Sequence, residues 1–179
     1  GYTITHNSLP NGVFAWDGYV SNYTIIMDVL WPRESSAVQK ALYQTDAKNA
    51  DDAEMFAASG TGGIGIGGIY HGLLTPGTWH RVAIAVQCAL GEGGTGQIHR
   101  FIDGQFVGGG YTPGFGSRCR WALEPEFHLF TDNEGETAKG YVSSVMYIDR
   151  FMSMDEIKAL GGPNAYGANI SGKPVQLVK

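Results

Sequence analysis

The chain has 179 residues, of which 27 are glycine, about twice the average share, while only 16% are charged against a typical quarter. This composition favours a turn-rich domain built from strands, and the length predicts a single domain over residues 1–179 with a core at about 20–162. The apolar runs are too short for a membrane-spanning helix. With a net charge of −5 and scattered Lys and Arg residues, we expect neither a nucleic-acid nor a membrane partner.

Extended runs separated by Gly, Pro, Asn and Asp clusters predict an all-β sandwich. The predicted strands span 23–31, 79–88, 97–107, 127–131 and 141–149. The strand 79–88 alternates, with Val82, Ile84, Val86 and Cys88 facing inward. Asp103-Gly104 splits the run 97–107 and predicts a hairpin turn.

One short helix is predicted near the C-terminus. Ser153 and Glu156 form a capping box, Met154, Ile157 and Leu160 share one face, and Gly161 ends the helix. Residues 163–179 are expected to close a sheet edge or to act as a linker. No repeat with a period of 20–50 residues is present, which argues against propellers and solenoids.

Cys88 and Cys119 are the only cysteines. Two cysteines cannot supply a four-thiolate zinc site. They can form one disulfide in an oxidising compartment, or remain as two buried thiols. The sequence leaves both alternatives open.

Three segments, 78–86, 99–107 and 140–157, resemble the concanavalin A-like lectin/glucanase superfamily in its laminin-G-like branch. The first segment begins with Thr-Trp-His-Arg-Val, and the second is a predicted strand that contains Asp-Gly. The third is a predicted strand followed by Met-Ser-Met-Asp-Glu-Ile, in which Met152 replaces the usual Leu of the family. Shorter segments at 42–46, 51–54, 65–72 and 129–136 look like modules attached to secreted bacterial hydrolases, metallophosphoesterases among them. The resemblance implies a jelly-roll of two antiparallel sheets, a core position for Trp79, often a bound calcium, and a ligand surface on the concave face or a loop edge.

No catalytic residues are predicted. The Glu-x-Asp-x-x-Glu string of the glucanases in this superfamily is absent, and Gln97-Ile98-His99 is the only motif that resembles the jelly-roll alginate lyases. The five histidines lack the spacing of a zinc hydrolase. The glycines between 62 and 72 do not form a dinucleotide fingerprint, so we expect them to form close turns at a sheet edge.

Two acidic loops offer hard oxygen ligands for calcium. The first contains Asp132, Glu134 and Glu136, with Gly135 permitting a bend, and the alternative contains Asp46, Asn49, Asp51 and Asp52, followed by Glu54. Neither matches a complete calcium-loop motif. Solvated acidic turns therefore remain the competing interpretation, and no other cofactor is expected.

Aromatic and planar polar side chains near glycine-rich loops are candidates for binding a sugar, because a sugar combines apolar faces with hydroxyl edges. The candidates are Trp121, Arg118, Arg120, Tyr70, His71, Tyr111 and Trp31. Trp121 could equally fill the core.

The first functional hypothesis is a non-catalytic carbohydrate-binding module that binds a polysaccharide or oligosaccharide and targets an attached catalytic domain. The alternatives are a structural or adhesive laminin-G-like domain that binds protein, and a small glycan hydrolase or polysaccharide lyase. The chain begins without Met or an apolar leader, so we expect a monomeric module excised from a secreted, extracellular or periplasmic bacterial protein.

Overall fold

The structure, a computed structural model, describes residues 1–50, 52–89, 96–111, 114–115 and 118–164. Two antiparallel sheets form a β-sandwich, and one short helix lies near the C-terminus, as predicted. Most of the predicted closing segment, 165–179, lies outside the described residues. No helix in the described part of the chain is long and apolar enough to cross a membrane.

Thirteen strands are present among the described residues. They are β1 (Tyr2–Thr5), β2 (Asn22–Leu30), β3 (Lys40–Gln44), β4 (Glu54–Ala57), β5 (Ile64–Ile66), β6 (Ile69–His71), β7 (His80–Gln87), β8 (Gln97–Ile102), β9 (Gln105–Tyr111), β10 (Gly114–Phe115), β11 (Arg118–Cys119), β12 (Glu126–Leu129) and β13 (Tyr141–Ile148). Helix α1 spans Met154–Leu160. The predicted strands and the hairpin at Asp103-Gly104 are confirmed, with ends shifted by one or two residues in most cases.

The six-stranded sheet has the order β1-β12-β3-β4-β5-β6, and the five-stranded sheet has the order β13-β2-β7-β8-β9. Their inner faces enclose one large apolar core. Strand alternation explains which residues enter it: on β7, Val82, Ile84 and Val86 are in the core while Ala83 and Ala85 face the other side. The core also contains the aromatic residues Phe14, Tyr19, Tyr23, Tyr43, Trp121, Phe127 and Tyr147.

Helix α1 covers the outer face of the five-stranded sheet. Ile157 of the helix and Met152 before it form a second apolar cluster with Ile26, Ala83, Ala85 and Phe101. The predicted capping box is present, since the Ser153 hydroxyl accepts from the backbone N–H of Glu156 and the Glu156 carboxylate accepts from the backbone N–H of Ser153. The helix therefore starts where the sequence predicts.

A buried ion pair lies on the same outer face. Strand β2 supplies Asp28 and strand β7 supplies Arg81, which are directly opposite in the sheet register. Arg81 donates to both carboxylate oxygens, with Nε to Oδ1 at 2.7 Å and Nη2 to Oδ2 at 2.8 Å. Its Nη1 donates to the carbonyl of Leu160 at the end of α1. The pair thus ties the helix to the sheet.

Cys88 and Cys119 form a disulfide, with Cα atoms 5.9 Å apart. Cys88 directly follows β7, and Cys119 ends β11. The bridge resolves the alternative that the sequence left open. It ties the end of a central strand to the segment that leads into Trp121.

A two-residue turn at the sheet edge uses the glycines predicted for this role. Gly67 and Gly68 connect β5 to β6 with backbone φ angles of +61° and +83°, which residues other than glycine rarely adopt. Gly65 is needed for a different reason. A Cβ at this position would lie 1.9 Å from the carbonyl oxygen of Ile69.

The expectation that Trp79 packs in the core is wrong, because the residue is 38% exposed. Trp79 directly precedes His80, which shares the inner face of β7 with Val82 and Ile84. Alternation therefore directs Trp79 to the opposite side of the sheet.

Candidate functional site

The predicted ligand-binding residues do not form one cluster. Trp31 lies at a cleft between the two sheets, whereas Tyr70 and His71 are on the edge strand β6. Arg120 is exposed, and its backbone carbonyl accepts from the Thr45 hydroxyl. The side chains of Tyr111 and Arg118 lie outside the described part of the structure.

Trp121 occupies the core, which is one of the two roles the sequence allowed. It is 7% exposed and packs against Tyr43, with ring centroids 6.3 Å apart. Its backbone carbonyl accepts a hydrogen bond from the Tyr23 hydroxyl at 2.9 Å. This burial leaves little of the indole to contact a ligand, because the inter-sheet packing already covers it.

The cleft beside Trp31, which we call the Trp31 cleft, is a narrow indentation with a cavity volume of about 20 Å³. Its wall is apolar at Val29, Ala57, Leu74 and Pro76, and its polar groups come from Ser36, Lys40, Thr75, Thr78 and His80. Gly140 packs directly against the indole, since a Cβ there would lie 2.8 Å from Trp31 Cδ1 and Nε1. The cleft thus combines one aromatic ring with hydroxyl and amine groups.

Hydrogen bonds fix the two basic residues of the Trp31 cleft. The Lys40 ammonium donates to the backbone carbonyls of Ser35 and Val38, and burial lowers its pKa. His80 Nε2 accepts from the backbone N–H of Thr75 at 2.9 Å. Its Nδ1 therefore carries the proton and donates to Asp103 Oδ2 at 2.7 Å. His80 has both ring nitrogens engaged and serves to hold the cleft wall.

The first acidic loop brings its three predicted calcium ligands together. Oxygen atoms of Asp132, Glu134 and Glu136 lie within 4.8 Å of one another. Asp132 Oδ1 accepts from the backbone N–H groups of Glu134 at 3.1 Å and Glu136 at 2.7 Å, which curls the loop around that carboxylate. We call these three side chains the acidic cluster.

The alternative acidic loop is organised differently. Both oxygens of Asp46 accept from the loop's own backbone, from Lys48 and Ala50, at 2.8 and 2.9 Å. Asp52 Oδ1 lies 4.0 Å from Arg120 Nη2. Asn49 adopts a φ of +55°, and Asp51 lies outside the described residues. The Asp46 carboxylate therefore serves the turn itself.

Tyr70 and Glu54 share a sheet face next to the acidic cluster. Burial and the neighbouring carboxylates Asp52, Asp132, Glu134 and Glu136 raise the pKa of Glu54 to about 7. Burial and the charge of Glu136 also raise the pKa of Tyr70. The sequence assigned Glu54 to the alternative acidic loop. Its place beside the acidic cluster was not predicted, because only the fold of β4 brings it next to a loop about eighty residues further along the chain.

His99, the histidine of the lyase-like tripeptide, lies among aromatic rings. The rings of Phe101, Phe106 and Phe151 are 5.3–6.5 Å from it, measured between centroids. Burial lowers the pKa of His99. Its setting is apolar, on the outer side of the five-stranded sheet where Phe101 joins the cluster under α1.

No family model matches the sequence, and no curated protein matches it either. Solved structures do share the fold. A Trypanosoma rangeli sialidase in complex with 2,3-difluorosialic acid superposes with a TM-score of 0.59 at 14% identity, over 79% of this chain and 23% of the sialidase. A leech intramolecular trans-sialidase gives 0.54 at 15% identity, over 94% of this chain and 28% of the enzyme.

A smaller protein of similar fold is the CBM40 module of the Ruminococcus gnavus IT-sialidase, bound to α2,3-sialyllactose. Its TM-score is 0.50 at 14% identity, over 79% of this chain and 83% of the module. The chain spans less than a quarter of the T. rangeli sialidase. At these identities the likeness defines a class of β-sandwich and nothing more specific. The laminin-G-like assignment stays a prediction.

Proposed function

We propose that this chain is a non-catalytic carbohydrate-binding module that holds an oligosaccharide or polysaccharide and targets an attached catalytic domain to it. The fold supports this, because β-sandwiches of the same class include a module bound to sialyllactose. Tethering raises the effective concentration of the attached domain at its substrate. The disulfide is consistent with an oxidising compartment, and thus with a secreted, extracellular or periplasmic protein.

The observation that carries the proposal is the Trp31 cleft. An indole beside hydroxyl groups suits a pyranose, whose apolar face stacks on the ring while its hydroxyls bond to the edge. Thr75 and Thr78 supply such hydroxyls. Lys40 is buried and donates two hydrogen bonds to backbone carbonyls, so it fixes the wall beside these hydroxyls.

The test compares two tryptophan variants on a panel of soluble and gel-embedded glycans that includes sialyllactose. We expect Trp31→Ala to weaken binding by about tenfold, since aromatic stacking contributes about 0.5–1.5 kcal/mol beyond the apolar area that it buries, and about 1.4 kcal/mol corresponds to tenfold. Trp79→Ala is the matched control and should bind normally, because Trp79 is a partly exposed tryptophan directed to the other side of the sheet. Trp31→Phe should retain part of the affinity.

Two results would overturn the proposal: no glycan bound across the panel, or equal binding by Trp31→Ala and the unchanged chain. Release of reducing-end or unsaturated products by the chain would instead indicate the hydrolase or lyase. Binding to a protein partner without any glycan would indicate the adhesive laminin-G-like domain.

A further inference from the structure

The Trp31 cleft is too small to enclose a whole sugar ring. Its cavity volume of about 20 Å³ is close to the space of about 10–15 Å³ that a single ordered water requires. Trp31 is only partly buried, so a pyranose can stack on its indole at the mouth of the cleft while one substituent of the sugar enters. The groups inside the cleft therefore determine which substituent is accepted.

Two hydroxyl groups of the cleft wall are available to a ligand. Thr75 and Thr78 are exposed, and their side-chain oxygens form no hydrogen bond within the described part of the chain. Their backbone groups, by contrast, are engaged: the Thr75 N–H donates to His80 Nε2 at 2.9 Å, and the Thr78 N–H donates to the Thr75 carbonyl at 3.2 Å. These bonds fix the turn and leave both hydroxyls free to donate to a ligand oxygen.

A buried positive charge stands in the same wall. Among the described residues that line the cleft, Lys40 is the only one with a full charge, and none is a carboxylate. Lys40 is 4% exposed, and no ion pair in the described ranges includes it. Its hydrogen bonds go to neutral backbone carbonyls, and burial alone lowers its pKa. The carbonyls solvate the ammonium group but do not cancel its charge.

The other titratable residue of the wall adds no charge. His80 accepts a hydrogen bond at Nε2 and donates one from Nδ1 to Asp103, which is the pattern of a neutral imidazole. Asp103 itself does not line the cleft, and its Oδ1 accepts from the backbone N–H of Arg81 at 2.8 Å. The cleft thus faces one positive charge, although the whole chain has a net charge of −5.

We propose that the Trp31 cleft selects sugars that carry a carboxylate, which enters the cleft while the sugar ring stacks on Trp31 and the hydroxyls of Thr75 and Thr78 donate to it. Lys40 attracts this anion without touching it, because protein screens a buried charge far less than water does. The planar carboxylate is smaller than a sulfate or phosphate group and so suits the small cavity. The inference rests on the proposed function and narrows its ligands to acidic glycans.

The test compares two acidic glycans, trigalacturonate and sialyllactose, each with its own primary amide, by calorimetry on the whole chain. The amide has nearly the same shape as the carboxylate and no charge. We expect at least one acid to bind about tenfold more tightly than its amide at low ionic strength, an effect within reach of one partly buried unit charge. Trp31→Ala should weaken the binding of that acid.

Two charge variants identify the source of the preference. Lys40→Met removes the buried charge and keeps an unbranched side chain, and it should reduce the affinity ratio of acid to amide to about one. Arg33→Gln is the matched control, because it removes one exposed positive charge near the cleft from a residue that does not line it. It should keep the ratio of the unchanged chain. Thermal unfolding verifies that both variants fold, and the ratio measured on the unchanged chain needs neither variant.

The outcomes separate this inference from the proposed function. Equal affinity of the unchanged chain for acid and amide, with both weakened in Trp31→Ala, would overturn the inference and leave the proposed function standing. A preference for the acid that persists in Lys40→Met would also overturn it. Absence of binding to any glycan would overturn the proposed function, and the inference with it.

Discussion

The ion pair between Asp28 and Arg81 offers the sharpest test of how the sandwich is stabilised. Asp28 is fully buried and Arg81 is 2% exposed. Asp28→Ala leaves the guanidinium buried without its counter-charge, and breaking such a pair costs about 3–5 kcal/mol. For a chain of this size, each kcal/mol lowers the melting temperature by roughly 2–4 °C. We therefore expect a decrease of roughly 6–20 °C.

The measurements are thermal denaturation for the melting temperature and urea denaturation for the free energy of unfolding, both followed by circular dichroism under conditions that keep the disulfide intact. The double variant Asp28→Leu/Arg81→Met is the control, since it removes both charges and keeps apolar volume. We expect it to recover most of the lost stability, because an apolar replacement of a whole buried pair is often neutral or better. A cost below about 1 kcal/mol for Asp28→Ala, or no recovery in the double variant, would show that the buried charges do not affect stability in this way.

Three further predictions concern other parts of the chain. Replacing Cys88 and Cys119 by Ala opens a loop with a sequence separation of 31 residues and should lower the free energy of unfolding by about 4 kcal/mol, measured by urea denaturation. Gly65→Ala should cost at least about 2 kcal/mol, since its Cβ would collide with the Ile69 carbonyl, and a cost near zero would contradict the close packing of that hairpin. The pKa of Glu54 is raised from 4.5 to about 7 in the folded state. Between these two pH values, the folded state therefore holds a proton that the unfolded state has released. In the presence of a chelator, the free energy of unfolding should therefore fall as the pH rises from about 4.5 to about 7, and Glu54→Gln should lack this part of the pH profile.

The sequence predicted the structural elements that depend on interactions between residues close together in the chain. The alternation on β7, the turn at Asp103-Gly104 and the capping box at Ser153 depend on residues close together in the chain, and the structure confirms all three. The acidic cluster also arises from neighbouring residues of one loop. The proximity of its three carboxylates was therefore predictable, and calcium binding by them stays a prediction.

Features that depend on distant residues could not be predicted. Asp28 and Arg81 meet because β2 and β7 pair in one register, and a polar residue in an apolar strand does not identify its partner. Glu54 meets the acidic cluster for the same kind of reason. The family resemblance misplaced Trp79, whereas alternation from His80 alone would have directed it away from the core.

The glycines of β9 affect how two sheet edges meet on one side of the sandwich. Strands β6 and β9 are edges of the two sheets, and exposed edges invite pairing with another chain. Here the edges close on each other: the His71 ring lies over Gly108, where a Cβ would be 2.8 Å from the ring, and Gly72 lies equally close to Val107. Arg100 also donates to the Ile69 carbonyl of β6. Small residues thus let the two edge strands approach closely, which leaves less room for an added strand on this side of the sandwich.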